Sequence, residues 1–302
     1  MKENRLVKVI KNPFRLLLPI IRKFPFFISD KLFVKIAYFA TIGKILNITN
    51  PTTYNEKIQW LKLNDRKPIY TMLVDKFSAK KLVAKIIGEE YIIPTLGVWD
   101  RFEDIDFDTL PNRFVLKCTH DSGTVILCKD KNFFDKKKAK ERIVKAQKSN
   151  FYWTWREWPY KDIKPRIIAE EYLVDECGNE LKDFKFFCFN GMPRAMYIAS
   201  ERQVKTKFDF YDLEFNHLPF VNGYENSKSK ITKPLGFDQM IELSKIISKD
   251  FIHVRVDFYD INGKVYFGEL TFYHWSGMVP FKPEKWDRIF GDWLDLTILE
   301  KA

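Results

Sequence analysis

The spacing of apolar and polar positions changes along the chain. Through residue 50, Phe, Leu and Ile alternate irregularly with Lys and Arg and are interrupted by Pro13, Pro19 and Pro25, which predicts only short helices. From Thr53 the string TYNEKIQWLKL takes on helical spacing, with Ile58, Trp60 and Leu61 as its apolar positions. It opens on a capping box, Thr53 with Glu56 three residues on. A second helix is expected from Asp75 to Ile87, stopped by Gly88. After residue 112 the period shortens to two, and RFVLKC, TVILC, RIIAEEYLV, DFKFFCF, PRAMYIA, HVRVDFYD and KVYFGELTF read as strands. Helices are expected near 136–149 and 237–249. Strand pairs with short turns, packed on a few helices, indicate an α+β fold rather than a doubly wound parallel sheet.

Composition narrows the class. A chain of 302 residues with 46% hydrophobic and 16% aromatic residues, but only 12 Gly and 14 Pro, can bury a real core and is neither disordered nor collagen-like. Its length suits a main body with subdomains. The net charge is +11, yet the first 50 residues hold ten Lys or Arg against Glu3 and Asp30, so +8 of it sits there. A nearly neutral remainder argues against nucleic acid. The basic segment has two readings: contact with an anionic membrane surface, or apolar residues packed on the body with the cations in water. Its apolar runs LLLPII and FPFFI are split by Arg22 and Lys23, too short to span a bilayer, and no cleavage site follows, which places the protein in the cytoplasm. Cys118, Cys128, Cys177 and Cys188 form no CxxC pair, so buried reduced thiols are expected. His120, His217, His253 and His274 are too scattered for a metal cluster, although His120 and His274 adjoin candidate loops. Trp155 and Trp158 in REWPY are either core residues or a stacking surface for a sugar ring.

Three strings carry candidate chemistry. RFVLKCTHDSGTVILC reads as a hairpin in which Lys117 places a charge beside a phosphate, with Thr119, Ser122 and the backbone around Gly123 covering it. In IIAEEYLVDE a buried strand ends in acids, where backbone groups meet an adenine edge and a carboxylate accepts from ribose. The third, HVRVDFYDINGKVYFGELTFYHWSG, is a hairpin around Asn-Gly. A three-residue loop, Ile261 to Gly263, places Arg255 opposite Glu269. It puts Val254, Val256, Phe258, Tyr266, Gly268 and Leu270 on one face and Arg255, Asp257, Glu269 and Thr271 on the other. Two carboxylates diagonal across a hairpin lie about 7–8 Å apart, within reach of a shared Mg²⁺. A simple Arg255–Glu269 salt bridge is the competing reading.

NPTTYNEKIQWLKL, the VDK of residues 74–76, LPNRFVLKCTHDSG, REWPY, KPRIIAEEYL, DFKFFCFNG and VRVDFYDINGKVYFGELTF together resemble the TupA-like ATP-grasp family of bacterial surface-polysaccharide and teichuronopeptide assembly proteins. The resemblance implies an ATP-grasp fold in which two α+β subdomains hold ATP. Its segments would be a basic N-terminal extension at 1–50, a helical substrate subdomain at 51–112, a lid subdomain at 113–174 and a C-terminal subdomain at 175–302. It assigns Lys76 and Lys117 to the phosphates, and His120, Ser122 and Gly123 to the lid. Glu170, Glu171, Tyr172 and Leu173 would form the adenine hinge. Lys185 would reach the nucleotide or acceptor, Arg255 would steady the phosphoryl group in flight, and Asp257, Glu269 and Thr271 would hold Mg²⁺. Thr271 stands where many such ligases have asparagine, and Asp175, Glu176 and Glu180 compete for the ribose. The implied activity is ATP-dependent joining of a carboxylate, such as a uronic acid, to an amine or amino acid. A sugar or glycerol kinase and a non-catalytic basic binding module are the alternatives.

Overall fold

Alternation produces two antiparallel sheets in the computed structural model, which describes residues 12–174, 181–201 and 204–300. The smaller has four strands, β1 (Thr95–Trp99), β2 (Phe114–Cys118), β3 (Val125–Cys128) and β4 (Ile167–Glu171), in the order β1-β4-β2-β3. The larger contains β5 (Asp183–Phe189), β6 (Met192–Ser200), β7 (Lys207–Tyr211), β8 (His217–Leu218), β10 (His253–Ile261) and β11 (Lys264–Thr271), ordered β11-β10-β5-β6-β7-β8. Two short strands, β9 (Val221–Asn222) and β12 (Phe281–Lys282), pair with each other. This is the α+β architecture expected from the strand strings. β1 lies before residue 113 in sequence but completes the smaller sheet by pairing with β4.

Helices cover these sheets. The labelled ones are α1 (Leu17–Lys23), α2 (Asp30–Ile42), α3 (Tyr54–Asn64), α4 (Ile69–Val74), α5 (Lys76–Ile87), α6 (Lys136–Gln147), α7 (Phe237–Ser248) and α8 (Lys285–Trp293). Thr53 and Glu56 form the expected capping box of α3. The Asp75 side chain caps α5, accepting from the Ser78 amide, and Gly88 follows its last residue. α2 corrects the expectation of only short helices before residue 50. Downstream of the prolines, Ser29 caps a 13-residue helix that buries Phe33, Val34, Ala37, Tyr38 and Ala40. With Leu18, Ile21, Leu46 and Met278 these side chains make a separate apolar cluster, so the basic segment does pack on the body.

The main core lies on the face of the larger sheet that carries the even-numbered residues of β5 and β10, where Phe186, Val254, Val256 and Phe258 meet Phe237 and Met240 of α7. Every residue of β5 is buried, because the opposite face is also covered in part: Phe187 and Phe189 pack on Tyr54 and Phe290. The smaller sheet has its own core, in which Phe114, Leu116, Ile126 and Ile167 pack with Ala139 and Ile143 of α6. Its other face carries Lys117 and leaves Val125 and Leu127 exposed. α5 packs against α7 and β11 of the larger body while reaching Glu170 of the smaller sheet through Lys80. Cys118, Cys128 and Cys188 are buried free thiols; Cys177 lies outside the described residues.

Candidate active site

The β10–β11 turn has two residues, not three. Ile261 pairs with Lys264, and Asn262 (φ 55°) and Gly263 (φ 91°) both take left-handed conformations, as a type I′ turn requires. A regular ladder from that turn would place Glu269 on the core face. Gly268 prevents this as the extra residue of a β-bulge: Phe258 opposes Phe267, but Asp257 opposes Glu269. Arg255 therefore faces Thr271 instead of Glu269. Phe267 and Val265, not Tyr266, complete the core face. The expected polar face of Arg255, Asp257, Glu269 and Thr271 is retained through a different register.

Neighbouring strands extend that face. Tyr197 of β6 pairs with Lys185 of β5, Lys185 with Asp257, and Asp257 with Glu269, giving one row of side chains about 4.8 Å apart from strand to strand. Lys185 Nζ donates to Asp257 and lies 3.6 Å from Asp183. Burial would lower its pKa, but the two carboxylates outweigh burial and hold it above its usual value. Arg255 grips Asp257 with Nε and Nη2, each at 2.6 Å, and Nη2 also donates to Thr271 Oγ1 at 2.9 Å. The Glu269 carboxylate is 3.5 Å from the guanidinium, and its side chain is 40% exposed, so it forms the open end of the row. Burial alone would raise the Glu269 carboxyl, but Lys185, Lys76 and Arg255 together pull it below its usual range.

His274 joins the cluster from the loop after β11. Arg255 Nη1 donates to His274 Nδ1 at 2.9 Å. A guanidinium cannot accept, so the imidazole proton sits on Nε2 and is donated to Asn222 Oδ1, also at 2.9 Å. Burial, with the neighbouring Arg255, keeps this imidazole neutral by depressing its pKa well below the usual value. The loop is held in an uncommon shape, with Trp275, Ser276 and Gly277 at φ 49°, 54° and 60°. Two residues of α3 pin it. Gln59 Nε2 donates to the carbonyls of Ser276 and Gly277 at 2.9 Å, and Lys62 Nζ donates to the carbonyls of Ser276 (3.1 Å) and Trp155 (3.0 Å). Glu157 of REWPY accepts from the Ser276 hydroxyl. Trp155 itself lies under Arg22, 4.1 Å from the guanidinium, and packs with the α2 cluster, which supports its core reading.

The phosphate and hinge candidates divide between the two bodies. Lys76, at the start of α5, donates to the Asp121 carbonyl, while its charge acts on Glu269. Lys117 donates to the buried carboxylate of Glu170, which also takes Lys80 at 2.6 Å. Burial would raise the Glu170 carboxyl, but the two lysines outweigh it and bring it down to about 2. That side chain is thus a structural counter-ion, and only its backbone remains for a hinge role. Glu171 is exposed, and Tyr172 and Leu173 are half-buried beside it. A cavity of about 430 Å³ lined by Phe77, Lys80, Ile92, Pro94 and Thr95 borders this strand end, and the Glu171 amide donates to the Pro94 carbonyl at 3.1 Å. Ser122 and Gly123 occupy an exposed loop. His120 does not face that loop. Its ring is buried and donates through Nε2 to the Ala146 carbonyl of α6 at 3.1 Å, which corrects its assignment to the lid. Asp175, Glu176 and Glu180 lie outside the described residues.

Sequence reasoning missed Lys80, Tyr197, Gln59 and Glu157. Lys80 stands one helical turn after Lys76, a spacing that could have signalled it. The other three come together only through tertiary packing.

The donors fit a magnesium ion in part. Asp257 and Glu269 offer hard oxygens on paired strands, Asp257 buried and Glu269 at the open edge. Both oxygens of Asp257 are hydrogen-bonded by cations, Thr271 Oγ1 is engaged by Arg255, and among the described residues no group of three or more His, Cys, Asp or Glu is arranged to hold a metal.

Among solved structures, D-alanine–D-alanine ligase from Bacillus anthracis complexed with ATP is 16% identical, over 67% of this chain and 54% of that one, with a TM-score of 0.38. An L-amino acid ligase from Bacillus licheniformis is 12% identical, over 84% and 57%, with a TM-score of 0.44. The chain thus spans little more than half the length of these two proteins, and TM-scores this low add nothing to the assignment. Comparison with curated proteins gives no match. A family model described as TupA-like ATP-grasp matches residues 56–295, the span that contains both sheets and every candidate residue above, and the chain belongs to that family.

Proposed function

We propose that the chain is an ATP-dependent carboxylate–amine ligase that works through an acyl phosphate. The observation that carries this reading is the row Tyr197–Lys185–Asp257–Glu269 with Arg255 beside it, its open end within reach of the charge of Lys76 on α5. ATP would lie between the sheets, its phosphates near Lys76 and Lys117 under the Ser122–Gly123 loop and its base at Glu171–Leu173. Asp257 and Glu269 would hold Mg²⁺, an ion that supplies charge neutralisation at the phosphates when bound.

A carboxylate oxygen of the substrate attacks the γ-phosphorus, the bond to the β-phosphate oxygen breaks, and ADP leaves. An amine nitrogen then attacks the acyl carbon, phosphate departs, and the nitrogen loses a proton. No protein nucleophile is needed. Arg255, held on both sides by Asp257 and His274, is preorganised to meet the charge of the phosphoryl group during transfer. Closure of the exposed loop excludes water, which would otherwise hydrolyse the mixed anhydride.

The family resemblance supports a uronic acid or other sugar carboxylate as one substrate and an amino acid or simple amine as the other, in capsule or cell-wall polymer synthesis. Dependence on ATP and the buried free thiols support the cytoplasm as its location. The test is ADP release against a panel of uronic acids and amino acids with hydroxylamine present. A hydroxamate from one carboxylate is the expected product. Phosphorylation of an alcohol with no hydroxamate from any carboxylate would overturn the ligase in favour of a kinase.

A further inference from the structure

α1 and its flanking turns show an apolar side to solvent as well as to the protein. Leu18 and Ile21 point into the α2 cluster. At about 100° per residue, Leu16 and Ile20 fall roughly opposite to them, with Leu17 and Phe24 on the flank between. All four are exposed, and Phe26 and Phe27, in the turn that follows, are 80% and 86% exposed. Ordinary soluble surfaces scatter such side chains singly, whereas a contiguous group marks an interaction surface.

The exposed charged side chains of residues 12–50 have one sign. Lys23, at the end of α1, and Lys31 and Lys35 of α2 are exposed, and no ion pair ties them to a carboxylate among the described residues. Asp30, the one acid between residues 12 and 50, is turned inward, where it accepts from Arg66 Nη2 and the Tyr152 hydroxyl at 2.6 Å each. Arg15 and Arg22 are also committed to the protein, donating to the carbonyls of Thr41 and Thr154.

We infer that this face docks the enzyme on an anionic lipid bilayer, with Leu16, Ile20, Phe24, Phe26 and Phe27 entering the headgroup and upper acyl region and Lys23, Lys31 and Lys35 against lipid phosphates. A bilayer accepts a convex cluster of aromatic and aliphatic side chains without needing a matching groove. Exposed lysines with no carboxylate partner among the described residues are complementary to anionic headgroups, whereas a second copy of the same face would meet them with like charge. The active-site strands do not contribute to the surface, so the inference stands apart from the proposed ligase activity.

Vesicle co-sedimentation of the full chain tests it, using phosphatidylcholine alone and phosphatidylcholine with phosphatidylglycerol. Binding is expected only to the anionic vesicles and should weaken with added salt. Phe26→Ser/Phe27→Ser and Lys23→Glu/Lys31→Glu/Lys35→Glu should each weaken it about tenfold or more, with unchanged melting temperature and ADP release. Equal sedimentation of variants and wild type, equal binding to the neutral vesicles, or no binding at all would overturn the inference. Concentration-dependent self-association abolished by the same substitutions would also overturn it, by giving the face to a second copy of the chain.

Discussion

At the scale of single residues, one carboxylate can serve structure or chemistry, and neutral substitutions of the same shape separate the two. Asp257 is held by Arg255 and Lys185, while Glu269 is the more open member of the pair. Glu269→Gln should therefore abolish most ADP release with little change in melting temperature. Asp257→Asn should abolish activity and also destabilise, because a neutral amide leaves two buried cations undercompensated, at about 3–5 kcal/mol. Full turnover in either variant would remove the assignment. His253 shows the opposite case, a histidine used only for structure. Its Nδ1 donates to the Phe272 carbonyl at 2.8 Å and its Nε2 accepts from Tyr54 at 3.1 Å. Burial depresses its pKa to about 4 from a usual 6.5. The folded state then binds fewer protons than the unfolded state between those values, so stability is complete above about pH 6.5 and falls as the pH drops toward 4. Chemical denaturation at pH 7 and pH 5 should show a loss from this residue on the order of 2 kcal/mol, absent in His253→Gln. Asp287, whose carboxyl burial raises to about 6, works in the reverse direction over the same range but is common to both proteins and cancels in the comparison.

Elements were legible where the signal is local. The capping box at Thr53 and the stop at Gly88 mark the start of α3 and the end of α5 almost to the residue, because both signals are local to one turn. The strand strings were equally visible through their alternation. β7 was missed between short polar stretches, and α2 was hidden by the prolines that precede it. Register was legible only by inference, since pairing is a property of two strands. The acids do share one polar face, but the Gly268 bulge, not a longer turn, puts them there. Gln59, Lys62 and Glu157 were invisible for a related reason: their partners in the His274–Gly277 loop lie more than 100 residues away. The bulge yields an element-scale prediction. A Cβ on Gly268 would come 3.1 Å from the Asp257 carbonyl oxygen, so Gly268→Ala should displace that strand by a few tenths of an ångström and lower ADP release several-fold while the fold survives. Wild-type turnover in Gly268→Ala would mean that the site tolerates a looser register than proposed.

At the scale of the whole molecule, two sheets with separate cores are linked through α5, which sends Lys76 toward Glu269 and Lys80 into the ion pair with Glu170. A nucleotide between the sheets would add a second link that exists only in the folded state. Binding at a hundredfold excess over Kd stabilises by about 2.7 kcal/mol, which for a chain of this size is a rise of several degrees in melting temperature. The two lysines on Glu170 should respond differently. Lys80 is the more deeply buried, and Lys80→Met should lower the melting temperature of the free protein, by about 1–3 kcal/mol of stability, yet keep the rise produced by a non-hydrolysable ATP analogue with Mg²⁺. Lys117, nearer the exposed face of the smaller sheet, exchanges Glu170 for phosphate in the proposed complex. Lys117→Met should therefore cost less stability in the free protein and lose most of the nucleotide-induced rise. If both variants retain the rise, Lys117 is a counter-ion of Glu170 and nothing more; if both lose it, the pair acts as one structural unit and phosphate contact must be sought at Lys76.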